Sequence, residues 1–149
     1  LYQVSDFLRT ESLLFCPTVY CNSFVKGNLE DSYYLQSLSK SVPKTLPMLW
    51  TGKDVVSEKI SDKDINVLKK IISNPILIWD NYYANDYCPR KFFIGPLKGR
   101  SVSNKTTLGI GINPTGLPIT DSIILSQVEG SCSTQEILKQ HEVPDFRTI

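Results

Sequence analysis

The chain has 149 residues, of which 41% are hydrophobic and 21% charged, a composition typical of a globular domain rather than of a disordered segment. Its 16 basic and 15 acidic residues give a net charge of +1, which argues against a nucleic-acid partner, because such binding needs concentrated positive charge. No apolar run approaches the roughly 20 residues of a membrane span, so we expect no membrane partner either. The first residue is Leu rather than Met, and we expect further sequence upstream.

The cysteine and histidine content predicts no metal site and no cofactor. The spacing of the four cysteines matches no zinc motif, and we expect them to be reduced thiols: Cys16, Cys21, Cys88 and Cys132. Cys16 ends an apolar run, so we expect it to be buried. The single histidine, His141, lies in a polar tail without a nucleophile motif beside it.

Four short apolar runs, spaced roughly thirty residues apart, predict the strands of a parallel sheet. They are continuous rather than alternating, as expected for strands that are buried on both faces, and they cover residues 13–16, 46–50, 76–79 and 108–112. The spacing is that of a repeated strand-and-helix unit.

Helical patterns occupy two of the three connections. Tyr34, Leu38 and Val42 recur at helical spacing before Pro43, which ends the first helix. Ser61 to Asp64 resembles a capping box, and three apolar residues at helical spacing follow it: Ile65, Leu68 and Ile72. Residues 80–105 form a third, irregular connection, and 121–128 suit a short final helix.

Two architectures fit this order of elements. One is a small open doubly wound α/β sheet, complete in itself, and the other is half of a (β/α)8 barrel, which normally needs about 250 residues. Length favours the open sheet, whereas the residues at the strand ends favour the barrel.

Aromatic, amide, carboxylate and hydroxyl groups follow the predicted strands. If the strands are parallel, these groups meet at one edge of the sheet, where α/β proteins bind ligands. Aromatic faces with directional amide and carboxylate groups suit a neutral sugar. The alternative is that Trp50 and Trp79 are packing residues and that Asp80 and Asp86 cap loops.

Three sequence blocks resemble the family 84 glycoside hydrolases, the O-GlcNAcase family. They are "LLFCPTVYC", "MLWTGKDVVSEKI" and "ILIWDNYYANDY…RKFFIGPLKGRS", and with "GIGINPTG" they follow the family's order over residues 4–128. The resemblance implies a (β/α)8 TIM barrel of which this chain covers the second half, βα units 5 to 8. It also implies that residues 1–128 belong to the catalytic domain and that 129–149 form a divergent, loosely packed tail.

The resemblance implies a substrate-binding role for six residues. Asn81 and Asp86 match positions that hold the sugar, and Asn113 matches a further amide that binds a hydroxyl. Tyr20 matches a pocket tyrosine near the N-acetyl group, Trp79 matches the pocket wall, and Tyr87 lies beside Asp86 in the same block.

The family mechanism implied by the resemblance is retaining and substrate-assisted: the N-acetyl oxygen of the substrate attacks the anomeric carbon, and an adjacent Asp-Asp pair assists. This chain has no Asp-Asp pair, so we expect no catalytic residue in it and no turnover by the chain alone. Sequence departures include Val19 in place of an acid and Tyr82-Tyr83 in place of Ile-His.

Three functions therefore remain open. The chain is part of an enzyme that removes N-acetylglucosamine from glycoproteins, a non-catalytic sugar-binding fragment, or a standalone α/β interaction domain. The first implies two partners: an N-acetylglucosamine-bearing glycoprotein, and either the N-terminal half of the barrel or a second copy of the chain. The resemblance is closest to the animal nucleocytoplasmic branch, which implies a cytoplasmic and nuclear location, although an extracellular one stays open.

Overall fold

The computed structural model describes residues 13–90 and 92–128, together with Glu136 and Lys139. It divides into two units. The first unit holds the described residues up to Asn81 and the segment Gly99–Ile112, and the second holds Tyr82–Lys98 and the described residues from Asn113 onward. Within these described residues, no helix combines the length and the apolar character needed to cross a bilayer.

The first unit is built on a parallel sheet whose strands lie side by side in chain order. Strands β1 (Met48–Trp50), β3 (Ile76–Asp80) and β5 (Gly109–Ile112) form it, with Met48 opposite Ile76 and Ile78 opposite Ile110. The first predicted strand is reduced to one parallel bridge, between Phe15 and Met48. The sheet confirms the predicted α/β class and three of the four predicted strands.

A second, smaller parallel sheet was not predicted from the sequence. It pairs β2 (Ile60–Ser61) with β4 (Arg100–Ser101), and Ile60 lies opposite Arg100. Each strand is two residues long, too short to produce a recognisable period in the sequence. The pairing nevertheless brings the end of the long third connection to the residues that follow β1.

Both helices of the first unit follow the predicted pattern. Helix α1 (Tyr33–Ser41) begins where the Leu35 amide donates to the hydroxyl of Ser32, at 3.3 Å. Helix α2 (Asp62–Lys69) begins at Ser61, whose backbone amide donates to the Asp64 carboxylate at 3.0 Å. Helix α3 belongs to the second unit and spans Pro118–Val128, three residues longer at its start than predicted.

The hydrophobic core of the first unit lies between the sheet and its two helices. Ten buried side chains form one cluster: Leu35, Val42, Met48, Trp50, Ile60, Ile65, Leu68, Ile72, Ile76 and Ile78. Burying each large apolar side chain favours folding by about 1.5–3 kcal/mol, so this cluster is the main stabilising element of the unit.

Strands β1 and β3 alternate between buried and less buried side chains, contrary to the prediction of burial on both faces. In β3, Ile76, Ile78 and Asp80 are buried, whereas Leu77 is half-buried and Trp79 is 36% exposed. The reason is that α1 and α2 pack on the same face of the sheet. Cys16, which the sequence predicted to be buried, is exposed. The predicted tail at 129–149 lies almost entirely outside the described residues.

Candidate functional site

The candidate site of the first unit lies at the edge of the sheet where the parallel strands end. Strand β1 is followed by Thr51 and Gly52, and β3 ends at Asp80 with Asn81 directly after it. Because parallel strands run in one direction, these residues share the carboxyl edge, the usual ligand-binding edge of an α/β sheet.

Asp80 is a buried carboxylate that is paired with an arginine from the long connection. Arg100 donates from Nε to Oδ2 at 2.6 Å and from Nη2 to Oδ1 at 2.7 Å. The Asp80 side chain is 1% exposed and that of Arg100 is 5% exposed. A buried charge needs such a partner, and this pairing gives Asp80 a structural contact with the long connection.

Residues 51–59, named here the β1–β2 loop, are held from the strand β3 side at several points. The Asn81 side-chain amide donates to the Val55 carbonyl at 2.8 Å. Arg100 donates to the carbonyls of Ser57 and Glu58 at 3.0 and 2.9 Å. Asn81, predicted to bind sugar, therefore also fixes this loop.

The β1–β2 loop is stiffened internally by buried hydroxyl groups. The Ser57 hydroxyl donates to the Thr51 carbonyl at 2.8 Å, and the Thr51 hydroxyl donates to the Asp54 carbonyl at 2.8 Å. Both side chains are buried, with 2% and 3% of their surfaces exposed. Buried, satisfied hydroxyls of this kind specify one loop conformation.

The segment that carries Tyr20 is bound to the same loop. The Thr51 amide donates to the Tyr20 carbonyl at 2.9 Å, and the Asn22 amide donates to the Gly52 carbonyl at 3.0 Å. The buried Trp50 indole also donates to the Asn22 side chain at 3.0 Å. Two of the predicted sugar-binding residues, Tyr20 and Asn81, are thus attached to one loop.

Two aromatic side chains of this unit keep exposed surface. Trp79 is 36% exposed, and its indole lies over Gly111 of β5, where an added Cβ would stand 3.5 Å from the ring. Tyr20 is half-buried, and its ring meets Phe24 edge-on with centroids 5.0 Å apart. Trp50 is buried in the core, as the alternative interpretation expected of both tryptophans, whereas Trp79 keeps 36% of its surface exposed.

The second unit contains the other three predicted contacts. Asp86 and Tyr87 are exposed, with 67% of Tyr87 accessible, and Asn113 is half-buried. An aromatic cluster holds the loop that precedes Asp86. Tyr83 stacks on Phe93 with centroids 6.0 Å apart, and the Tyr83 hydroxyl donates to the Gly95 carbonyl at 2.9 Å. The Tyr82-Tyr83 pair, a departure from the family pattern, therefore has a structural role.

The sequence patterns predict no role for Arg100. The signal that could have found it is the carboxylate at the end of a buried strand, which needs a cationic partner. Among the described residues, no group of three or more metal-ligating side chains is present. The six predicted contacts are divided equally between the two units, with Tyr20, Trp79 and Asn81 in the first.

The family model for beta-N-acetylglucosaminidase matches residues 3–130. The chain is 42% identical over 105 residues to Protein O-GlcNAcase of Mus musculus and 41% identical over 105 residues to that of Rattus norvegicus. In each case the match covers 70% of this chain and 12% of the relative. The chain therefore spans a small part of the curated relatives that it matches.

Solved structures with a similar fold carry related names. A mutant of the Thermobaculum terrenum O-GlcNAc hydrolase is 25% identical, with a TM-score of 0.70, over 97% of this chain and 33% of that one. The structure of CpGH84B is 20% identical, with a TM-score of 0.68, over 86% of this chain and 24% of that one. The second likeness concerns the fold alone.

Proposed function

Because the chain belongs to the beta-N-acetylglucosaminidase family, glycoside hydrolase family 84, we propose that it supplies the sugar-binding part of a hydrolase that removes β-linked N-acetylglucosamine from glycoproteins. The observation that carries this proposal is the attachment of Asn81 and the Tyr20 segment to one loop at the carboxyl edge of the sheet. Both residues lie within the part of the chain that the family model matches.

We further propose that residues 1–128 form the second half of a (β/α)8 barrel, βα units 5 to 8, followed by a divergent tail at 129–149. Two observations support this assignment. The strands of the main sheet are neighbours in chain order, and α1 and α2 pack on one face only. Helices cover one face of the sheet in a barrel, whereas a doubly wound sheet carries them on both faces.

Each side chain of the predicted set has a role that suits its chemistry. In the first unit, Asn81 would bind a sugar hydroxyl through a directional hydrogen bond, and Trp79 would supply apolar surface for a pyranose ring. In the second unit, Asp86 and Asn113 would bind hydroxyls in the same manner, and Tyr87 would supply apolar surface. Tyr20 would lie near the N-acetyl group. A cytoplasmic and nuclear location remains a prediction from the resemblance.

We propose that the acid and base of the reaction come from outside this chain. The retaining, substrate-assisted mechanism uses the N-acetyl oxygen of the substrate as the nucleophile and an Asp-Asp pair to assist it. The sequence contains no such pair, and Asp80, the best-placed carboxylate of the first unit, is committed to Arg100. The chain alone should therefore bind without turnover, and the preceding half of the barrel should complete the enzyme.

A non-catalytic sugar-binding protein is the second candidate. The departures at Val19 and Tyr82-Tyr83 favour it. An Asp-Asp pair in the upstream coding sequence, following an apolar strand, would decide for the enzyme. An upstream sequence that completes the domain without such a pair would support the non-catalytic sugar-binding protein.

The test is a titration of the longest natural form of the protein with an N-acetylglucosamine oxazoline mimic, alongside hydrolysis of an aryl N-acetylglucosaminide. We expect binding by the wild type and loss of binding in Asp86→Ala, with Asp31→Ala as the matched control because Asp31 is an exposed carboxylate of the first unit. No binding by the wild type would favour a standalone interaction domain. Hydrolysis by the 149-residue chain that survives Asp86→Ala would contradict the proposal that the acid and base come from outside this chain.

A further inference from the structure

The nearly buried guanidinium group of Arg100 donates hydrogen bonds to two separate parts of the chain. Two go to the Asp80 carboxylate, and two go to the backbone carbonyls of Ser57 and Glu58. The carbonyls belong to the β1–β2 loop, whereas Asp80 ends strand β3 immediately before Asn81. One side chain therefore joins the strand end that carries Asn81 to the loop.

The loop transmits this attachment to the Tyr20 segment. Its residues Thr51, Gly52 and Lys53 each form a backbone hydrogen bond to residues 20–23, at 2.8–3.0 Å. The distance between Asn81 and Tyr20 therefore depends on how firmly the loop is held against β3. Asn81 itself adds one bond, to the Val55 carbonyl.

The backbone conformation of Gly99 places Arg100 beside the β1–β2 loop. Gly99 has φ +74°, and an added Cβ would stand 2.6 Å from the Glu58 carbonyl oxygen. The Gly99 carbonyl also accepts from the Ile60 amide at 2.9 Å. Only glycine permits both this conformation and this approach, so β4 lies directly beside the loop that Arg100 binds.

We propose that Arg100 is a positioning residue for sugar binding: by bracing the β1–β2 loop against β3, it sets the spacing between Asn81 and Tyr20. This inference rests on the proposed function, since it assigns Asn81 and Tyr20 to one sugar pocket. In this proposal, Arg100 does not contact the substrate itself. Lysine could not replace it, because a single ammonium group lacks the planar fork that binds a carboxylate and two carbonyls together.

The test compares Arg100→Lys with two controls in the longest natural form of the protein. Ile78→Val removes one methyl group from a fully buried core residue near Asp80, which lowers stability while Arg100 and its hydrogen-bond partners stay unsubstituted. Lys70→Ala removes one partner of the exposed ion pair with Glu30, which controls for the loss of an ion pair away from the loop. All variants are measured at a temperature where circular dichroism finds them fully folded.

Two readouts are expected to respond to Arg100→Lys. Affinity for the oxazoline mimic should fall by about tenfold to a hundredfold, the scale for a misplacement of about 1 Å. Hydrogen exchange should accelerate at the amides of Asn22, Ser23 and Thr51 while the amides of α2 stay protected. The two controls should keep wild-type affinity.

The outcomes separate positioning from simple stabilisation. Equal loss of affinity in Ile78→Val, or unchanged affinity in Arg100→Lys with the loop amides loosened, would overturn the positioning role. Unchanged exchange at the three amides would overturn the coupling on which it depends. A wild-type protein that does not bind the mimic would overturn the proposed function, and with it the role of Arg100 in sugar binding. The exchange data would still decide whether Arg100 couples the β1–β2 loop to the Tyr20 segment.

Discussion

The carboxylate of Asp80 and the guanidinium of Arg100 form a two-point ion pair, with Nε–Oδ2 and Nη2–Oδ1 distances of 2.6 and 2.7 Å. Twenty residues separate them in the chain, and both side chains are nearly inaccessible to water. Removing one partner would leave the other buried and uncompensated, and the pair is therefore a sensitive point of the first unit.

We predict that Asp80→Asn lowers the free energy of unfolding by about 3–5 kcal/mol, the usual cost of breaking a buried pair. Urea titration followed by circular dichroism measures the loss. Glu30→Gln is the matched control, because the Glu30–Lys70 pair is 54% and 65% exposed and should contribute about 1 kcal/mol or less. Equal effects of the two substitutions would contradict the structural role of Asp80.

Gly52 is the tightest point of the β1–β2 loop. It has φ +100°, and a Cβ at this position would stand 2.6 Å from the Ser57 hydroxyl oxygen. Gly52→Ala should therefore lower stability more than the roughly 1–2 kcal/mol that a left-handed backbone costs a non-glycine residue.

Gly27→Ala isolates the backbone part of that cost. Gly27 has φ +83°, but no atom lies within 4 Å of an added Cβ. Unfolding free energies of both variants, measured side by side, should differ by the clash with Ser57. Matching values would mean that the loop relaxes around the new methyl group.

The pKa of Asp62 is lowered from its usual value near 3.8, first by the hydrogen bond from the Thr106 hydroxyl and then by the Ser103 amide, which donates at 2.9 Å. A depressed pKa means that the unfolded chain binds more protons than the folded one between the two pKa values. The contribution of Asp62 is thus complete above its unfolded pKa and is lost as pH falls through its folded pKa.

We predict that Asp62→Asn flattens the rise of stability with pH in this acidic range and leaves its slope near neutral pH unchanged. Thermal unfolding from about pH 2 to pH 7 measures the slopes. Glu58→Gln serves as the control, because Glu58 is exposed. A variant with the wild-type slope would show that the hydrogen bonds from the Ser103–Thr106 turn do not stabilise the ionised form.

Trp79→Ala should weaken sugar binding more than it weakens the fold. Its indole is 36% exposed and covers one side of Gly111, whereas Trp50 is 1% exposed in the core. We expect mimic affinity to fall by about tenfold or more and the unfolding free energy to change by less than the about 3–5 kcal/mol expected for Trp50→Ala. Calorimetric titration and urea unfolding measure the two effects, and unchanged mimic affinity would remove Trp79 from the pocket.

The sequence by itself determined the helices, the three strands of the main sheet and the family. The helical spacing of Tyr34, Leu38 and Val42 and the capping pattern at Ser61 are local signals, and the structure confirms both helices. The apolar run at 76–79 became β3, and the motif around Asn81 and Asp86 was long enough to indicate the family. These features depend on neighbouring residues, so they can be recognised without knowing the fold.

Only the tertiary structure decided which face of the sheet is buried and which groups hold the site. Continuous apolar runs do not reveal that both helices pack on one face and leave Trp79 exposed. Nor does sequence spacing reveal that Arg100 pairs with Asp80 and binds the carbonyls of a loop more than forty residues earlier. The physical reason is that a buried charge needs a partner of suitable geometry, while the path of the chain alone determines which distant residue provides it.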